Sequence, residues 1–256
     1  MITIPFLNII SGFLFISVRL SGLMLFAPFF GSGALPPRIK AGLVVALSFL
    51  LYPVVGPHFP VVPLSHWPLL VFSELLVGAS IGIATSLVFD AVQMAGHILS
   101  VQMGYSLVSI LDPNTQAEST VMATFHQAIA MLIFLRLDVH LWILRAVGDS
   151  FVYLPPGSAH LSPAFVRTAL MAGAAVFSIG VQLAAPVLSA TFLADLVLGL
   201  LGKASQQLPV MLLGPAIKSL LGTLVLVATL KYWPEMFRGL FLNAIHLAEH
   251  LLHLAG

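Results

Sequence analysis

The chain has 256 residues, 59% hydrophobic and 7% charged. Soluble domains carry roughly a quarter charged residues, so this composition does not suit a water-soluble globule. A net charge of +1, with nine histidines counted neutral, offers no basic field for nucleic acid and no acidic tail for a basic partner. With no cysteine, disulfides, thiolate metal sites and thiol nucleophiles drop out together.

Crossing a hydrocarbon core of about 30 Å takes roughly 20 apolar residues in a helix, and about six runs of that kind are bounded by proline, glycine or charge. The first, near 6–29, is too long for a signal-peptide core. It lacks a basic n-region and has no convincing small-residue cleavage site near Pro28, so it is expected to be retained. The second, 39–55, is short for a span. The third and fourth are expected at 67–89 and 121–141. The fifth, 165–199, is longer than one crossing needs and is expected to bend at Pro186. The sixth lies near 208–230, and a shorter C-terminal helix follows Pro234. The connectors at 31–37, 53–63 and 154–163 are rich in proline and read as loops within one hydrophobic unit, 1–256. Lysine and arginine are spread too evenly to fix an orientation.

Five charges interrupt or edge these runs: Arg19, Glu74, Asp90, Asp195 and Lys218. A charge at mid-membrane costs about 2.5–3.5 kcal/mol, so each is expected to face protein, water or a helix end. An ion path and buried pairing between helices are both open readings. The lack of carboxylates at i, i+4 favours pairing over a relay. Gly78 and Gly82 form a GxxxG face with Glu74 one turn earlier, which implies close helix contact, in bland packing or in a gating seam.

From Gly96 to Ser119 apolar periodicity fades, and the stretch reads as a helix broken by a loop. Non-helical backbone at membrane depth is tolerated only when buried in protein or lining a cavity. A pore-lining loop and an ordinary surface loop both fit. His246, His250 and His253 share one helical face with Glu249, a pattern that suits a metal site or the polar side of an amphipathic helix. The chain has no HExxH, no nucleophile elbow, no phosphate-cradling glycine loop and no spaced acid–base pair, which makes an enzyme the weaker class.

Taken in order, several marks resemble the FliR/SctT family of type III secretion export-gate proteins nearly end to end. They are Arg19, Pro28, the 36–43 stretch, Glu74, Gly78, Gly82, Gly96, Gln102, Met103, Gly104, Asp112 and Pro113. The second half adds 137–142, Pro156, Gly157, Pro186 and 196–202. A departure falls at Lys203–Ala204–Ser205–Gln206–Gln207, where the family's Arg-x-x-Pro-Gln lacks its proline, and Pro209 stands at a family asparagine.

The resemblance implies an all-α, multi-helix membrane-complex protein with kinked or broken hairpins and a re-entrant plug-like loop. It implies a FliP-like N-terminal half joined to a FliQ-like C-terminal part, non-enzymatic and without cofactor. The implied setting is the bacterial inner membrane at the flagellar basal body. The implied partners are FliP and FliQ homologues in a hetero-oligomeric helical assembly, FlhB and FlhA homologues, unfolded export substrates and the lipid bilayer, with no nucleic acid. The plug or pore loop would comprise Met103, Gly104, Tyr105, Ser106, Leu107, Val108, Ile110, Leu111, Asp112 and Pro113. Arg19, Glu74, Gly78, Gly82, Asp195 and Lys218 are the expected helix-packing or gate residues. The alternatives are an injectisome subunit of the same family and, from a different class, a small-solute secondary transporter.

Overall fold

A computed structural model describes residues 5–28, 30, 35–56, 59, 63–105, 121–204 and 210–256. The fold is all-α, and no strand occurs among the described residues. In chain order the helices are α1 (Pro5–Phe26), α2 (Pro37–Val55), α3 (Trp67–Gln102), α4 (Val121–Arg136), α5 (Val139–Tyr153), α6 (Pro163–Ala204), α7 (Val210–Thr229) and α8 (Trp233–Ala255). Single 3-10 turns at Leu64–His66 and Leu230–Tyr232 lead into α3 and α8.

Several boundaries differ from those read off hydropathy, each for a local reason. The third run does not stop at Phe89: α3 continues through Gly96 to Gln102. A Cβ on Gly96 would collide with the Ala123 backbone, so the fading periodicity there marks a tight helix contact and not a helix end. The helix ends at Gly104, whose φ of +84° is the left-handed cap glycine adopts without steric cost.

The fourth run is two helices. Asp138, with φ of 54°, interrupts the chain between α4 and α5, and the second helix runs on to Tyr153. Asp tolerates this conformation better than most residues because its short polar side chain can hydrogen-bond to nearby backbone. The fifth run is one uninterrupted helix of 42 residues with Pro186 inside it. The C-terminal helix is not short: α8 has 23 residues against 20 in α7.

The chain divides into two compact units, each assembled from separated stretches: 1–88, 137–173 and 240–256 form unit 1, and 89–136 with 174–239 form unit 2. Unit 1 buries Phe15, Ile16 and Leu20 of α1, Val77 and Ile81 of α3, Ile143 and Val147 of α5, and Phe241 and Ala248 of α8. Unit 2 buries Val92 and Leu99 of α3, Ala130 and Phe134 of α4, Val187 of α6, Leu226 of α7 and Phe237 of α8.

The outward faces of α2 and α6 stay largely apolar. Phe49, Leu50 and Val54 of α2 are exposed, as are Leu170, Phe177, Phe192, Leu193 and Leu200 of α6. At 1.5 Å per residue α6 is about 63 Å long, twice the hydrocarbon thickness. Lipid alone would cover it only at a tilt of about 60°, beyond the roughly 0–40° seen in membrane helices.

Candidate functional site

The α1–α3 contact in unit 1 is made by small residues on both sides. A Cβ on Gly78 would overlap the Arg19 carbonyl, and one on Gly82 would meet Leu23 and Ala27 backbone atoms at 3.0 Å. From α1, Gly22 faces the Leu75 carbonyl in the same way. Backbones this close bring Arg19 and Glu74 side by side, and both side chains are fully buried.

The guanidinium Nε of Arg19 donates to Glu74 Oε2 at 2.7 Å. Nη1 donates to Ser150 Oγ at 2.9 Å, and Nη2 to the Leu154 carbonyl at 3.0 Å. The guanidinium also lies over the Phe151 ring, 3.8 Å from its centroid. The other carboxylate oxygen of Glu74 accepts the Gly157 N–H at 3.2 Å. Gly157 has φ of +86°, a conformation that favours glycine, and a Cβ there would displace the end of the Leu70 side chain. Each guanidinium nitrogen and both carboxylate oxygens of the pair thus have a partner, which is the condition under which a buried charge is tolerated.

The loop after α5 extends this hub. Ala159 N–H donates to Ser73 Oγ at 3.2 Å, and Ser162 Oγ donates to the Leu254 carbonyl at 2.7 Å. His160 N–H donates to the Ala255 carbonyl at 2.9 Å. The last carbonyls of α8, which have no partner within their own helix, are therefore capped by a remote loop. Tyr153 and His253 rings pack at 5.2 Å beside this junction.

Unit 2 carries a second polar cluster. Lys218 Nζ on α7 lies 3.1 Å from Asp195 Oδ1 on α6, and Gln102 Nε2 at the end of α3 donates to Asp195 Oδ2 at 3.3 Å. Next to it, Ser219 Oγ donates to Tyr105 Oη at 2.7 Å. Met103 is buried against Gly222, and Gly104 sits against Pro215. In contrast to the hub, the Asp195 side chain is 43% exposed and that of Lys218 is 19% exposed.

Of the residues expected in the plug or pore loop, Met103, Gly104 and Tyr105 form the terminus of α3 and its seat on α7. Ser106, Leu107, Val108, Ile110, Leu111, Asp112 and Pro113 lie outside the described residues. The helix-packing residues fall into two sets, Arg19, Glu74, Gly78 and Gly82 in unit 1 and Asp195 with Lys218 in unit 2. Asp90 is exposed and joins neither. His246 contacts Glu249 at 3.4 Å on the exposed side of α8, and no cluster of three metal-ligating side chains occurs among the described residues.

Sequence reasoning missed the acceptors of Arg19. Ser150 and Leu154 lie 131 and 135 residues away in the chain, and a backbone carbonyl leaves no mark in residue identity. Pro156 and Gly157, adjacent marks in a proline-rich loop, were the available signal.

Long apolar helices, charges used as interhelical clamps and wide apolar outward faces define an all-α membrane protein. Among the described residues, five helices are long and apolar enough to cross a membrane, or up to six if the α4–α5 pair is counted as one span. The chain belongs to the bacterial export proteins, family 1, whose model matches residues 10–244. It is 30% identical to the flagellar biosynthetic protein FliR of Pectobacterium carotovorum over 96% of this chain and 94% of that protein. Its identity to the FliR protein of Bacillus subtilis is 28% over 98% of both chains. The secretion system apparatus protein SsaT of Salmonella typhimurium is 28% identical over 84% of this chain and 85% of its own length. The family resemblance read from the ordered sequence marks is therefore the one these matches establish.

Proposed function

We propose that this chain is a non-enzymatic core subunit of the flagellar type III protein export gate. In this reading it joins FliP and FliQ homologues in a helical assembly at the bacterial inner membrane, with FlhB and FlhA homologues alongside, and unfolded flagellar substrates pass through the assembly. The single observation that carries the reading is a relationship to flagellar FliR proteins that spans nearly the whole chain. The physical chemistry supports it: α6 is too long and too apolar outward for lipid to cover alone, so protein neighbours must cover part of it.

In the same reading the chain combines a FliP-like N-terminal half with a FliQ-like C-terminal part, and the Tyr105–Ser219 contact anchors the start of a plug segment at 106–118. An apolar plug would close the pore by dewetting it until an incoming chain displaces it. An injectisome subunit is the second reading, favoured by the match to SsaT, and neighbouring genes in the chromosome separate the two branches.

The test is purification of the tagged chain from native membranes in mild detergent. The expected result is a large particle containing FliP-like and FliQ-like proteins. A solitary particle that moves small solutes in liposomes would overturn the reading in favour of a transporter.

A further inference from the structure

In unit 2 the outward side of α3 carries a polar seam that neither ion pair uses. Helical spacing puts Asp90, Gln93 and His97 along one side of α3 over about two turns. Asp90 is exposed, and Gln93 and His97 are half-buried. Across the groove to α4, Gln127 Nε2 approaches Gln93 Oε1 at 3.4 Å, and Thr124 is exposed one turn earlier on α4. The close approach of Gly96 to Ala123 holds the two helices together at this level. Asp90 forms no ion pair with any described residue.

The seam is narrow and its surroundings are apolar. Met94, on the other flank of α3, packs against Gly180 of α6. Ile83 and Val101 are exposed to either side of the polar stretch on α3, and Phe125 and Leu132 lie toward the other side of α4. A carboxylate in the middle of an apolar helix is tolerated where it meets polar protein groups or a water-filled space. Hydrocarbon offers it neither, and the core of a protein interface is depleted of charge. One cation from a neighbour would satisfy Asp90, but it would leave unexplained the glutamines and histidine spread over about 10 Å of the helix axis. The seam also runs toward the ends of α3 and α4 that the 106–120 stretch joins in the chain.

We propose that Asp90, Gln93 and His97 of α3, with Thr124 and Gln127 of α4, line the water-filled conduit and form the surface along which an unfolded polypeptide moves. This rests on the export reading and adds which face of the chain meets the substrate. The amide groups both donate and accept hydrogen bonds, so they match the N–H and C=O groups of a passing backbone in either order. The carboxylate of Asp90 favours basic stretches of the substrate over acidic ones. Contacts of this kind replace water without holding the chain, which is the balance conduction needs.

The test is a disulfide trap, which the absence of cysteine from the chain makes direct. Asp90→Cys, Gln93→Cys and Gln127→Cys are placed singly in the full chain, in cells exporting a cysteine-bearing flagellar substrate stalled by a folded C-terminal domain. His97→Cys and Thr124→Cys stand in for any seam variant that fails to assemble. Phe125→Cys, on the other side of α4, is the reference, and Leu107→Cys in the proposed plug segment reports whether substrate occupies the conduit at all. After mild oxidation the seam positions are expected to give substrate adducts at least about fivefold above Phe125→Cys, because only thiols confined to one passage reach a high effective concentration. Substrate adducts at Leu107→Cys but none above the reference at the seam, or seam adducts to a neighbouring subunit alone, would overturn the inference and leave the export reading standing. No substrate adduct at any position, Leu107→Cys included, would overturn the export reading and this inference with it.

Discussion

The two ion pairs use the same chemistry in opposite settings. Arg19 and Glu74 are fully buried, 2.7 Å apart, and each is held by further partners from α5 and the loop behind it. Asp195 and Lys218 are 3.1 Å apart but open to their surroundings, with Gln102 as a further donor to the carboxylate. In sequence these four residues looked alike, as charges stranded in apolar runs. The difference teaches that cost follows desolvation: a sealed pair becomes obligatory because removing one member leaves the other's charge buried with no water to replace it, whereas an open pair is replaceable.

Breaking the sealed pair is the most severe way to probe that contrast. Glu74→Ala is expected to destabilise unit 1 by about 3–5 kcal/mol, because it strands a guanidinium that cannot lose its charge. Loss of the purified complex, or a large fall in its thermal midpoint in detergent, checks this. Replacing both members, as Arg19→Met with Glu74→Leu, should recover much of the loss, since apolar groups of similar size leave no orphan charge. If the double replacement were as damaging as Glu74→Ala, the charges would have a role beyond holding the helices.

Gly78→Ala comes next. Its new methyl would overlap the Arg19 carbonyl and push α1 from α3, at a cost of about 1–3 kcal/mol. Gly42→Ala is the matched control, because a Cβ there meets nothing. Equal thermal midpoints for the two variants would mean that α1 and α3 are not in close contact. The smallest effect is expected at the open pair: Asp195→Asn should change stability by about 1 kcal/mol or less. The exchange Asp195→Lys with Lys218→Asp should be tolerated, and the same exchange at Arg19 and Glu74 should not. Comparable losses from both exchanges would erase the distinction between the two sites.

Much of the fold was legible in advance because hydrophobic run length and proline or glycine punctuation are local signals. The all-α class followed from them, although the fourth run is two helices rather than one, and the close packing of Gly78 and Gly82 followed from the absence of side chains at helical spacing. Boundaries were less legible where two principles compete. Around Gly96 polar residues and glycines suggested a break, yet tight packing on Ala123 carries the helix on to Gln102. At Asp138 hydropathy is continuous, and a single left-handed residue divides the helix.

The sequence by itself determined that this chain leaves water, that it is built of helices, and that its ordered marks place it in an export-protein family, because each of these depends on composition, spacing or identity. Only the tertiary structure decided which charges are sealed and which are open, and which outward faces are apolar or polar. Those properties depend on groups more than a hundred residues apart meeting in space, including backbone carbonyls and amides that every residue carries and no sequence pattern distinguishes.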